Sequence, residues 1–370
     1  MNTISALAGI LLFASVVSDA FEVMLLPRRV RRQIMPVRLV FQVSWSCWSA
    51  IAVRIKLGKR RDGFLSLYGP LSMVLLLMLW ALGLVVSFAL IQWGIRQSPG
   101  ESFLATLYFS GGSFFTVGYG DVLHLTHLGK GLAVLEAGTG LAFIAVTIGY
   151  LPVLYQLFSR REARIIQLDA RAGSPPTAAA LLSRHSESEA MDEVADLLKD
   201  WEQWCAEIVE SHLSYPMLSY YRSQHDNQSW LAGLAAILDS CALILTGLSG
   251  VRTFQARMTF AMGRLAAVEL CSVFRLRAGI SVIQRLPRTE FARLQDELED
   301  AGLKWSSPGD AEERLAVLRS TYEPFIEALS RHFLLSLPPW RRDRESGNWQ
   351  VSLGGRTAKQ LLEDAPAKPN

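Results

Sequence analysis

Thr116-Val117-Gly118-Tyr119-Gly120-Asp121 is the stretch of this chain whose residue types and order carry chemistry. A run of backbone carbonyls pointing toward one axis can replace the hydration shell of a cation. Pointing them the same way requires φ > 0 at alternate residues, which glycine reaches without steric cost. Gly118 and Gly120 stand at such alternate positions. The expectation is cation coordination by the carbonyls of Thr116, Val117, Gly118 and Tyr119 and by the Thr116 hydroxyl. Tyr119 would point away and brace the loop, and Asp121 would set a carboxylate at its mouth. A glycine-rich turn of the same spelling is the bland alternative, and the flanks argue against it.

Two apolar spans surround a short helix. Residues 71–95 carry no charge over a length that crosses a bilayer core of about 30 Å at about 1.5 Å per residue. Residues 131–158 carry one charge, Glu136. Between them, Ser98 and Pro99 read as a helix start, with a helix over 101–115 too short to span. A loop at membrane depth is tolerated only where it is buried in protein or lines water. The order helix, re-entrant helix, carbonyl loop, helix follows.

Residues 71–158 resemble the two-helix pore module of the potassium-channel superfamily. Beyond Thr116–Asp121, Tyr108-Phe109 matches the aromatic pair of the pore helix, and Leu128-Gly129-Lys130 the turn that opens the inner helix. Gly140 falls at the family's inner-helix hinge glycine, with close helix packing as the alternative reason for a glycine there. The resemblance implies a selectivity filter over Thr116, Val117, Gly118, Tyr119 and Gly120 that coordinates K+, with Asp121 at the outer mouth. Two positions depart from the family. Phe115 replaces a hydroxyl residue before the filter, while Ser113 keeps one. Gly112 stands where some members place an acid that ties to the outer Asp. Glu136 is expected to act as a buried structural acid, hydrogen-bonded by Ser113 or by pore-helix backbone, in place of that missing acid; a carboxylate facing water in the pore and attracting cations is the alternative. One pore loop per chain implies a homotetramer.

Charge sets the expected orientation. Residues 1–159 hold 12 Lys/Arg against 6 Asp/Glu, and ten of those basic residues lie between Arg28 and Arg61. The positive-inside rule puts that stretch in the cytoplasm. Residues 160–370 hold 25 basic against 28 acidic residues, and they too are expected in the cytoplasm. Residues 4–26 form another apolar span with no basic residue before it, unlike a cleavable signal. It reads as a retained membrane helix, in which Asp19 and Glu22 need partners or an interfacial edge. Residues 37–57 read as an amphipathic helix on the inner leaflet, a further span being the alternative. The Arg28, Arg29, Arg31 and Arg32 run reads as positive-inside anchoring rather than a voltage sensor.

The expected fold is an all-α membrane protein in five parts. Residues 1–27 are an N-terminal transmembrane helix and 28–66 a basic cytoplasmic segment. Residues 67–159 are the pore domain, 160–337 a helical cytoplasmic domain, and 338–370 a poorly ordered tail. In the helical domain, patterns run over 177–185, 187–211, 229–248, 252–276, 289–301 and 310–335. Residues 229–248 read as a buried bundle helix, because Asp239 interrupts the apolar run. Cys47, Cys205, Cys241 and Cys271 lack metal-ligand spacing and read as small buried residues. His124 and His127 would ring the outer mouth. No phosphate loop or catalytic set is visible, so neither an enzyme nor a cofactor is expected, nor nucleic-acid binding. The functional expectation is a potassium-selective channel of the cell membrane, its partners being lipid and three further copies. The alternatives are a potassium transporter subunit and a sensor with a vestigial pore.

Overall fold

The computed structural model describes residues 3–24, 36–95, 102–121, 126–186, 191–225, 227–248, 253–279 and 284–341. The protein is all-helical in these residues, and the chain divides into two compact units, Met1–Leu157 and Phe158–Asn370. The Arg28–Arg32 run, the Ser98-Pro99 start and His124 lie outside the described residues.

In the first unit, α1 (Thr3–Met24), α2 (Pro36–Arg54), α3 (Lys59–Ser66), α4 (Tyr68–Ile95), α5 (Phe103–Phe114) and α6 (His127–Ala172) follow in order. Among the described residues, three helical stretches are long and apolar enough to cross a membrane: Thr3–Met24, Lys59–Ile95 and His127–Ala172. Small residues let α1 approach α4 closely, as helix contacts in lipid favour. A Cβ on Gly9 would lie 2.6 Å from the Ser87 carbonyl oxygen, and one on Gly83 would lie 2.9 Å from Val16 Cγ2. Ser5 Oγ donates across the same contact to the Leu90 carbonyl (2.9 Å). Asp19 is buried and accepts from Trp80 Nε1 (2.8 Å) and from the Val37 N–H (3.3 Å). A polar group at that depth is costly without such donors.

One expected boundary moves. The re-entrant helix begins at Phe103, because the Ser102 side chain caps it by accepting from the Ala105 N–H (3.2 Å). The inner helix runs unbroken for 46 residues, through Pro152 and on to Ala172.

The second unit gathers the end of α6 with α7 (Ala178–Arg184), α8 (Met191–Ser214), α9 (Trp230–Leu245), α10 (Thr253–Val273), α11 (Arg288–Asp300), α12 (Ala311–Ser320) and α13 (Glu323–Phe333). Helix α9 is the core, every residue from Trp230 to Ile244 being buried, as an all-round apolar helix is at the centre of a bundle. The pattern over 310–335 divides into α12 and α13. Pro324 sits in the first turn of α13, where its missing N–H leaves no helical acceptor unmet. The tail assignment from residue 338 also needs correction. Trp340 is 1% exposed, and its carbonyl accepts from the Ala179 N–H (3.1 Å). Cys205, Cys241 and Cys271 are buried as expected, whereas Cys47 is exposed.

Candidate pore module

The chain leaving α5 turns into the carbonyl loop by capping its own helix. The N–H groups of Thr116 and Val117 bond the carbonyls of Ser113 (3.1 Å) and Gly112 (2.8 Å), satisfying acceptors that a helix C-terminus leaves open. From there φ is positive at every second residue: 57° at Thr116, 64° at Gly118 and 76° at Gly120. Glycine holds this conformation freely, but Thr116 is β-branched and strained in it, by about 1–3 kcal/mol. Residues 116–120 are exposed within the single chain.

Two sets of contacts back the loop. On one side the Tyr119 ring lies parallel to Tyr108 of α5, with centroids 6.2 Å apart and an interplanar angle of 6°. Tyr108 is also close enough to Asp121 for the two to interact electrostatically. On the other side, Glu136 of α6 is fully buried. It accepts from Gln92 Nε2 of α4 (2.7 Å) and is hydrogen-bonded with the Ser110 hydroxyl of α5. Ser110 Oγ also reaches the Val85 carbonyl (2.7 Å). The expected partner Ser113 is replaced by Ser110, one helical turn earlier, and Gln92 was not anticipated. One carboxyl thus joins outer, re-entrant and inner helices.

Gly140 has a packing reason to be glycine. A Cβ there would stand 1.8 Å from the Phe114 carbonyl oxygen, so α6 crosses the end of α5 with no room for a side chain. Phe114 is buried among Ala81, Leu84 and Val85, with Phe143 against it. A built Cβ on Gly138 or Gly112 meets nothing within 4 Å. Pro152 was not singled out from the sequence; lacking an N–H, it leaves the Ile148 carbonyl without its helical donor. His127 is the first residue of α6.

Residues 73–156 match an ion channel family. Local similarity also links the chain to the DNA integrity scanning protein DisA of Frankia alni, 33% identical over 98 residues, covering 25% of this chain and 27% of that one. The corresponding protein of Parafrankia sp. is 30% identical over 108 residues, covering 28% of this chain and 30% of its own length. The chain therefore spans less than a third of the curated relatives it matches. No solved structure matches it. What the match and the helices define is a membrane protein carrying an ion channel domain. Within the chain, that domain is a potassium-channel-like pore module.

Proposed function

We propose that this chain is a potassium-selective channel, conducting K+ passively through a homotetramer in the cell membrane. The observation that carries the reading is the alternation of positive φ at Thr116, Gly118 and Gly120, in a loop between a re-entrant and an inner helix. That alternation turns successive carbonyls to one side, as a dehydrated cation requires. The face is complete only when four copies surround one axis. The carbonyls of Thr116, Val117, Gly118 and Tyr119 with the Thr116 hydroxyl hold K+, and Asp121 lines the outer mouth. The basic segment and the residues after α6 lie in the cytoplasm, following the positive-inside rule. No cofactor, nucleic acid or catalytic role is assigned.

Glu136 serves as a neutral structural acid. The Ser110 hydroxyl has one proton and faces two acceptors, Val85 O and the Glu136 carboxyl. Both contacts are hydrogen bonds when the carboxyl carries the second proton.

Gating works through α6. Its stretch beyond Phe158 is built into the helical domain. Arg161 is buried and donates to the Leu218 (2.8 Å) and Tyr221 (2.7 Å) carbonyls, and Ile165 and Leu168 are core residues. Gly140 is the family's hinge position but is held by Phe114, so Pro152, where the helix ladder is already broken, is the softer point for bending.

Flux from liposomes containing the purified full chain tests the function. K+ should pass far faster than Na+, and a pore blocker should stop it. Flux strictly coupled to a second ion would indicate a transporter subunit. No flux under any condition would indicate a vestigial pore.

A further inference from the structure

In the helical domain, a cleft of about 890 Å3 opens to solvent between residues 278–288, α12 and the first turn of α13. That volume is within the range that holds small molecules, about 300–1,000 Å3. The charges of its floor are already matched. The Glu323 carboxylate is buried and held by Arg319 (3.1 Å) and Arg285 (3.4 Å), and Arg319 also donates to the Leu286 carbonyl (3.3 Å). Leu286, Ala316 and Pro324 give the cleft an apolar wall. The rim is different. Arg288 Nε stands 3.2 Å from one Glu312 oxygen, with the two side chains 90% and 45% exposed. An ion pair that open to water gains little from its own contact. Among the described residues, the two Nη groups of Arg288 meet no acceptor and the second Glu312 oxygen meets no donor.

We propose that this cleft binds a zwitterionic α-amino acid with an apolar side chain. The Nη groups of Arg288 take the carboxylate as a bidentate pair. The second Glu312 oxygen takes the ammonium, and the apolar side chain lies on Leu286, Ala316 and Pro324. Charge decides the class of ligand. The lining carries two arginines, Arg288 and Arg319, and two glutamates, Glu312 and Glu323, so it is formally neutral. A lone anion would face both glutamates, and a lone cation both arginines. A polyphosphate would bring more charge than one open arginine can meet. A molecule with one charge of each sign on the same carbon leaves nothing unmatched, because the Arg288–Glu312 contact holds its two partners side by side.

The test is calorimetric binding to the purified full chain in detergent at constant KCl, so it is independent of whether the pore conducts. L-leucine, L-methionine and L-phenylalanine are the probes. Wild type should bind at least one of them with a Kd of about 1 mM or tighter. Two relatives of the bound probe then divide its head group: the amide, which lacks the carboxylate, and the des-amino acid, which lacks the ammonium. Each should bind about tenfold more weakly or worse, because one charged partner in the cleft is left unmatched. R288Q and E312Q should weaken the intact probe to a similar degree and keep the wild-type melting temperature, since both side chains are largely in water. Failure of all three probes overturns the proposal, as does undiminished binding by R288Q. If a variant does not fold, the two relatives decide on wild type alone, and equal binding of the probe and its amide overturns it. Inorganic phosphate binding more tightly than every probe would assign the cleft to an anion and also overturn it.

Discussion

Each unit of this protein buries a carboxyl group completely, and the two are satisfied in different ways. Glu136, among apolar membrane helices, is met by an amide and a hydroxyl, both neutral. Asp239, in the core of the helical domain, is met by the Arg285 guanidinium (2.6 Å) and the Tyr322 hydroxyl (2.6 Å). Arg285 also pairs with Glu323, which Arg319 holds at 3.1 Å, and the Trp340 ring lies under both guanidinium groups. At bilayer depth a counter-charge would itself need desolvating, so neutral donors are the cheaper solution. In the helical domain an arginine can carry its charge inward along a long apolar stem. The pore acid therefore depends on shape, and the bundle acid depends on its partner's charge.

The largest effect should come from breaking the charged cluster. Arg285→Met leaves Asp239 buried and uncompensated and should cost about 3–5 kcal/mol in denaturant unfolding of the full chain. Adding Asp239→Leu should restore most of that loss. A small loss in the single variant would mean that the two acids do not differ as described.

Next is Gly140→Ala. Its Cβ would stand 1.8 Å from the Phe114 carbonyl oxygen, and the overpacking should cost about 1–3 kcal/mol, seen as a lower melting temperature of the full chain in detergent. Unchanged stability with altered opening would restore Gly140 as the hinge. Pro152→Ala should instead leave stability intact and hinder opening.

Gly118→Ala introduces a left-handed alanine, at about 1–2 kcal/mol per chain. It should reduce the K+ over Na+ flux ratio by about tenfold, while the fold is retained. A wild-type ratio would refute the carbonyl geometry proposed for this loop.

Glu136→Gln sharpens the comparison. The amide can donate to Ser110 and accept from Gln92, so conductance and melting temperature should stay near wild type. Glu136→Ala strands both partners and should cost about 1–3 kcal/mol. A conductance loss in Glu136→Gln that high K+ restores would mark a pore-facing charge instead.

The smallest effect is a pH dependence of the helical domain. Burial pushes the His332 imidazole down to about 4, while His212, fully buried beside Arg161, is pushed well below the usual range. The unfolded chain binds these protons near pH 6.5, whereas the folded chain resists them. Stability is therefore full above about 6.5 and falls as pH drops toward 4. His332→Gln should flatten part of that slope in thermal unfolding, leaving the part due to His212.

Much of this architecture was legible because it is written in local pattern. Apolar run length marked α1, α4 and α6 as membrane helices, and α9 was recognisable from an apolar run interrupted by Asp239. The positive φ at Gly118 and Gly120 follows from residue type, since glycine is the residue that takes it freely. Less legible were features that depend on a neighbour's position. Thr116 gave no local sign that it shares the positive φ, and the apolar Trp340 lay hidden in a polar, proline-rich tail. The hydrogen bond from the Tyr322 hydroxyl to Asp239 joins residues 83 positions apart.

The sequence by itself determined that there is a pore module with this loop between these helices, because length, periodicity and glycine spacing act within a few turns of chain. Only the tertiary structure decided which groups meet behind the loop. Ser110 lies 26 residues and Gln92 44 residues from Glu136, and Gly140 meets Phe114 across two helices. Ser113 and Ser110 look equally suited to bond an acid when read along the chain. Helix crossing selects one of them, because a hydrogen bond needs an approach within about 3 Å that sequence spacing does not encode.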